Sequence, residues 1–180
     1  VWAVGDSGSQ AFWNGSTWTR PSPGTSVSLR ATWGSGANDV WSVGERAVIT
    51  RWNGTRLSIT QVGNRGRVYE DVEGRSATDV WVVGHEPASP VRDGVVLRWD
   101  GMRWRTVRTE PRAELRCVLL TGSSEVWVGT DDGRILRYDG STWTTSYSNP
   151  SFITIWDLTE DASGRIWAAT EGGGILYLDP

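Results

Sequence analysis

Lysine is missing from this chain: all 18 of its basic residues are arginine. Codon preference in a GC-rich genome is the simpler reading, and a surface built for guanidinium chemistry is the alternative. Cysteine is nearly missing too. Cys117 stands alone, which excludes an intrachain disulfide and a thiolate metal cluster. It falls in the apolar run from Leu115 to Leu120 and reads as a small core residue. One histidine, His85, excludes a multi-histidine metal site. No Gly-x-Ser-x-Gly elbow supports Ser-His-Asp chemistry. Asp131-Asp132-Gly133 lacks the alternating oxygen ligands of an EF-hand and reads as a solvated turn. No cofactor and no metal are expected.

Long apolar runs are also lacking. Nothing approaches the ~18 residues of a spanning helix, so direct membrane insertion is not expected. A net charge of -3 gives no pull toward nucleic acid. No signal peptide is in view, but the chain opens on Val1 in mid-repeat. A natural N-terminus lying upstream is therefore the expectation. A sustained apolar period of 3.6 residues is absent, which excludes helical repeats.

What is present is a rhythm. Asp39-Val40-Trp41-Ser42-Val43-Gly44 returns around Trp2, Trp81, Trp127 and Trp167, with gaps of 39, 40, 46 and 40 residues. A period near 40 with short β-branched and aromatic runs between Gly, Asn, Asp and Ser turns predicts four-stranded propeller blades. Each unit carries strands A to D. Trp13-Asn14-Gly15, Trp52-Asn53-Gly54, Trp99-Asp100-Gly101 and Tyr138-Asp139-Gly140 predict two-residue type I′ hairpins between C and D. The last unit departs, with Leu178 followed by Asp179-Pro180.

The units run about 1–23, 24–63, 64–110, 111–148 and 149–180, as one all-β array. In strands they read BCD, ABCD three times, then ABC. The expectation is a fragment of a larger propeller, an open arc of about four and a half blades; a ragged five-bladed ring is second. The five B-strand tryptophans are expected to pack one blade on the next. Trp33 and Trp156, on first strands, are left undecided.

The final unit, Ile155-Trp156-Asp157-Leu158 through Gly164-Arg165-Ile166-Trp167-Ala168-Ala169-Thr170 and Gly172-Gly173-Gly174-Ile175-Leu176, resembles the two-component regulator propeller repeat. Earlier units, such as Asn38-Asp39-Val40-Trp41-Ser42-Val43-Gly44 followed by Arg51-Trp52-Asn53-Gly54, resemble repeats of exported and lipoprotein bacterial propellers of unassigned role. The resemblance implies an extracytoplasmic module, a sensor in the first case. It implies no particular activity, since one fold hosts many.

Enzyme signatures are weak. Asn14-Gly15-Ser16-Thr17-Trp18 and Asp139-Gly140-Ser141-Thr142-Trp143 look superficially like sialidase Asp boxes, but Phe12 and Arg137 stand where the Ser belongs. The Asn-Gly-Ser and Asn-Gly-Thr sequons at Asn14 and Asn53 follow from the hairpins themselves. The one irregular feature is an insertion of about seven residues in the third B–C loop, within 85–94. It holds His85, Glu86, Arg92 and Asp93, and rigid scaffolds place recognition in such loops. That loop is the candidate recognition site.

The function expected is non-enzymatic binding of an unknown ligand or protein partner. Part of a propeller enzyme, a glycosidase or lyase with its catalytic residues in other blades, is the alternative. A purely structural spacer is third. Carboxylates converging at the channel mouth would favour the enzyme.

Overall fold

A computed structural model describes residues 1–20, 24–87 and 92–179. Those residues form eighteen strands in five antiparallel sheets, each sheet in chain order. The first holds β1 (Trp2–Val4), β2 (Gln10–Trp13) and β3 (Trp18–Thr19). The second holds β4 (Leu29–Gly36), β5 (Asp39–Gly44), β6 (Val48–Trp52) and β7 (Leu57–Gln61). The third holds β8 (Val68–Ser76), β9 (Asp79–His85), β10 (Gly94–Trp99) and β11 (Trp104–Glu110). The fourth holds β12 (Leu115–Thr121), β13 (Glu125–Thr130), β14 (Arg134–Tyr138) and β15 (Trp143–Ser148). The fifth holds β16 (Ile155–Glu160), β17 (Ile166–Thr170) and β18 (Ile175–Leu178). The strand order expected from sequence is the one observed.

Two apolar runs read as A strands, Val27 to Trp33 and Phe152 to Leu158, pair later than they begin. β4 begins at Leu29 rather than Val27, and β16 at Ile155 rather than Phe152. Phe152 has φ +53°, a turn conformation that a strand residue cannot hold, and its amide donates to Asn149 O.

Each sheet is a blade, and blades meet through one repeated seam. Trp41, Trp81 and Trp127 are 3%, 2% and 7% exposed, as the period demanded, whereas Trp2 and Trp167 on the end blades are half-buried. The three buried indoles point to the blade that follows. Trp41 sits 5.4 Å from both Trp99 and Trp104, and Trp81 lies 5.9 Å from Tyr138. Trp127 packs with Ile155, Leu158 and Ile166 of the fifth blade. Burying an indole of this kind removes on the order of 200 Å² from water, worth roughly 5 kcal/mol as an upper figure. The side chains between the indoles point to the other face, where Val80, Val82, Val126 and Val128 are buried against the preceding blade. Central strands therefore read as continuous apolar runs, since both faces are covered.

Trp33 belongs to the same seam. Its ring lies so close to Gly74 of the next blade that a Cβ at Gly74 would sit 2.6 Å from the ring edge. Cys117 is buried in the fourth seam, and burial raises its thiol pKa well above the ordinary value.

The C–D hairpins correct the sequence expectation. Strand pairing resumes at Trp13↔Trp18, Trp52↔Leu57, Trp99↔Trp104 and Tyr138↔Trp143, so four residues form each loop, not two. Only the glycines take positive φ (Gly15, Gly54, Gly101 and Gly140, +91° to +106°). Asn and Asp act through their side chains instead. Asn14 Oδ1 accepts from the Ser16 and Thr17 amides at 2.9 Å, and Asp139 Oδ1 from the Ser141 and Thr142 amides at 2.7 Å. An Asx turn therefore replaces the type I′ geometry. These bonds favour the ionised carboxylate, holding Asp100 near about 2 and Asp139 lower still.

No strand of the first sheet pairs with the fifth among the described residues, and inter-sheet packing follows chain order. The blades form an open arc. The ragged five-bladed ring, the second expectation, is not formed.

Candidate functional site

The A strands β4, β8, β12 and β16 pack side by side and line the inside of the arc. Each carries a bulge at the same place. Pairing with the B strand skips from Leu29 to Ala31, Tyr69 to Asp71, Leu115 to Cys117 and Ile155 to Asp157. The residues left unpaired are Arg30, Glu70, Arg116 and Trp156. A bulge frees one residue from the ladder and re-aims its side chain. Here four bulges at one register place four side chains in a row at one mouth of the channel.

The row is internally bonded. Arg30 Nη1 lies 3.2 Å from Glu70 Oε2, and Arg116 Nη1 lies 3.4 Å from Glu70 Oε1. The Arg116 guanidinium then stands 5.2 Å over the ring of Trp156, within cation–π range. Trp156 is 51% exposed, a large aromatic surface left open at the mouth.

Loops from the same end of the blades complete the site. Glu114, just before β12, is buried and pairs with both Arg92 and Arg116. Its backbone amide donates to Asp131 Oδ1 at 2.7 Å. Burial raises the Asp131 pKa, and that hydrogen bond only partly offsets it. Glu45, following β5, holds the other side of Arg30 at 3.4 Å.

His85 is not a loop residue. It closes β9, paired with Val68 and Gly94, and is 6% exposed. Its Nδ1 faces Glu70 Oε1 at 3.6 Å and Glu114 Oε2 at 3.7 Å. Both distances exceed a hydrogen bond, and Nδ1 has no partner among the described residues. Burial lowers the His85 pKa. Glu114 opposes that, while Arg92, Arg116 and Arg30 add to it.

The carboxylate oxygens and the imidazole nitrogen lie within 4.8 Å of one another, a spacing that a cation could span. A cation already stands there. Arg116 meets the two oxygens that face His85, while Arg30 and Arg92 hold the outer oxygens of Glu70 and Glu114. Two carboxylates are thus matched by three guanidinium groups. A metal would have to displace Arg116 from both carboxylates.

The other predicted loop residues divide between two neighbours. Glu86 turns toward the preceding D–A loop, pairing with Arg67 and accepting from Asn64 Nδ2 at 2.7 Å. Arg92 and Asp93 turn the opposite way: Arg92 to Glu114, and Asp93 Oδ1 accepting from the Arg112 amide at 2.9 Å. The Glu86 amide donates to Asp93 O at 2.8 Å and closes the base of the insertion. Its residues 88–91 lie outside the described set.

Sequence reasoning missed Arg30, Glu70 and Arg116 and left Trp156 undecided. A signal existed: each stands eleven positions before its B-strand tryptophan (30 and 41, 70 and 81, 116 and 127, 156 and 167). The residue types differ, so no motif announced the column. Deeper in the channel a second acidic group went unnoticed. Asp71 Oδ2 accepts from the Val118 amide at 2.9 Å, and Glu73 Oε2 from the Leu120 amide at 2.6 Å, lacing β8 to β12. Burial raises both pKa values, that of Glu73 to about 7, with Asp157 across the channel adding repulsion.

No protein-family model matches the sequence, and no curated protein matches it. Solved structures do. YCF48 bound to a D1 peptide is 18% identical, with a TM-score of 0.63 over 84% of this chain and 52% of that one. The extracellular domain described as that of a one-component system, BT4673 from B. thetaiotaomicron, is 14% identical, with a TM-score of 0.72 over 98% of this chain and 26% of that one. The computationally designed Ika4 protein is 12% identical, with a TM-score of 0.59 over 84% of this chain and 90% of that one. The chain thus spans about half of the first and about a quarter of the second. At these identities the likeness concerns architecture alone: the chain has the β-propeller fold.

Proposed function

We propose that this chain is a non-enzymatic binding module whose channel mouth receives a protein segment. One observation carries the reading: four bulges at a single register turn Arg30, Glu70, Arg116 and Trp156 into the mouth. The site offers donors of both arginines, an acceptor between them and an exposed aromatic face. A peptide supplies matching groups, a carboxylate for the arginines and an apolar or cationic side chain for the indole. Fold-level support comes from YCF48, whose structure holds a peptide. Placement outside the cytoplasm, as a sensor or scaffold, is part of the same proposal and leans on the extracellular domains of similar architecture. Among the described residues no helix is long and apolar enough to cross a membrane.

The test is selection of displayed peptides on the immobilised chain, followed by titration against variants. Peptides should emerge that lose about tenfold or more in affinity with Arg116→Ala or Trp156→Ala, the scale of one lost anchor contact. They should keep their affinity with Arg103→Ala on a remote hairpin. Peptides insensitive to Arg116 and Trp156 would remove this reading.

The convergence of Glu70 and Glu114 favours hydrolytic or lyase chemistry as a second reading. It ranks lower because guanidinium groups already pair with both carboxylates. Turnover of a polysaccharide that Glu114→Gln abolishes would reverse the ranking.

A further inference from the structure

Two cationic side chains address one pair of acceptor atoms at the mouth, and one of them is idle. His85 Nδ1 stands 3.6 Å from Glu70 Oε1 and 3.7 Å from Glu114 Oε2, beyond hydrogen-bond reach. Arg116 pairs with these same two oxygens, by Nη1 at 3.4 Å to Glu70 and by Nη2 to Glu114. The guanidinium is not fully satisfied there. Its Nε is buried without a partner among the described residues, and its other neighbour is the Trp156 ring at 5.2 Å.

The charges around the ring come from several elements. Glu70 lies on β8, Arg30 on β4, Arg116 on β12, Glu114 just before β12 and Arg92 in the insertion. Glu45 holds the outer side of Arg30, and Asp131 accepts from the Glu114 amide. Glu86, next to His85 in the chain, turns away to Arg67. Arg30, Arg92 and Arg116 are thus each engaged with an acid of this chain. An incoming anion needs one of them released.

We propose that His85 controls the mouth: with protons on both ring nitrogens it takes the two carboxylate oxygens from Arg116, and the released guanidinium receives an oxyanion of the ligand. A charged imidazole donates from Nδ1, and a movement of less than about 1 Å brings that nitrogen within hydrogen-bond distance. Trp156 remains as the platform on which the freed guanidinium stacks. Burial is the largest influence on the ring and disfavours its charge; Glu114 favours the charge, and Arg92, Arg116 and Arg30 oppose it. An anion beside the ring adds negative charge, so proton and anion each tighten the binding of the other. Affinity for the anion therefore rises as pH falls. The inference rests on the mouth being the binding site, and adds that the ligand's anchoring group is an oxyanion taken up together with a proton.

His85 is the sole histidine, so the carbon-bound imidazole protons seen by NMR report on this site alone. Sulfate is the probe, an oxyanion of constant charge over the range used, with ionic strength held by chloride. The wild-type chain is titrated from about pH 8 to about pH 5, with and without sulfate, while circular dichroism follows the fold. Sulfate should raise the ring's midpoint by about one pH unit, equivalent to about tenfold tighter binding to the protonated site. Arg116→Ala should abolish that rise. In His85→Met, sulfate affinity read by calorimetry should stay level across the range. A wild-type midpoint that sulfate leaves unmoved overturns the proposal. So does a rise that persists in Arg116→Ala, or a pH-dependent affinity in His85→Met. Displayed peptides that ignore Arg116 would remove the peptide reading and leave the sulfate result standing, whereas peptides that need Arg116, with an unmoved midpoint, would sink the His85 proposal alone.

Discussion

The seams and the channel mouth follow opposite rules, although both come from the same repeat. Along the seams one residue returns in every blade: Trp2, Trp41, Trp81, Trp127 and Trp167. Along the mouth the column reads Arg30, Glu70, Arg116, Trp156. A seam is a packing problem posed in the same form between each blade and the next, and interiors at crystal-like density admit few answers. A bulge residue leaves the ladder and is not enclosed by the next blade, so its side chain answers to its neighbours in the row. The mouth can therefore differ from blade to blade without disturbing the stack, and that freedom is what a recognition surface requires.

The contrast can be broken at the seam with the largest effect. Trp81→Ala should destabilise the chain by about 4 kcal/mol, the usual range for emptying a buried aromatic site, seen as a lower denaturant midpoint. A shift as small as that of a surface substitution would show that the blades do not depend on their indoles.

Arg75 bridges the far ends of two blades, contacting Asp79 of its own blade and the carbonyls of Thr121, Gly122 and Glu125 in the next. Its loss by Arg75→Ala should cost about 2 kcal/mol, as for hydrogen bonds to a charged group. The mouth should be milder. Arg30→Ala removes two partly exposed ion pairs and should change stability by no more than about 1 kcal/mol, while altering peptide binding if the mouth is the site.

The channel interior should add a pH signature. Glu73 holds its proton more tightly folded than unfolded, since its pKa is raised to about 7. Its contribution to stability is fully present below the ordinary carboxyl range and is lost as pH rises toward about 7. Denaturation midpoints measured across that window should fall with pH, and Glu73→Gln should flatten the fall. The smallest effect concerns Cys117: the native chain should resist alkylation that the unfolded chain undergoes at once.

Much of this architecture was legible in the residues. The forty-residue spacing of Trp-centred runs announced blades, and the tally of turns gave the observed strand order. The hairpins misled because Asn-Gly and Asp-Gly serve two geometries. Whether Asn14 adopts positive φ or caps the next two amides depends on how far the flanking strands stay paired. At the site, the sequence pointed to the third blade's insertion and its histidine. His85 does stand at the mouth, but as a buried strand end between Glu70 and Glu114. Those partners lie 15 and 29 positions away: pairing of β8 with β9 brings Glu70 to His85, and packing of blade four on blade three brings Glu114.

The sequence alone determined the repeat, its period near forty residues and the B-strand tryptophans that fill the inner seams, because these depend on local pattern and on bulk. Tertiary structure alone decided which side chains share the mouth. A bulge costs one residue of register without marking its composition, and neighbours about forty residues apart become adjacent only when the sheets stack.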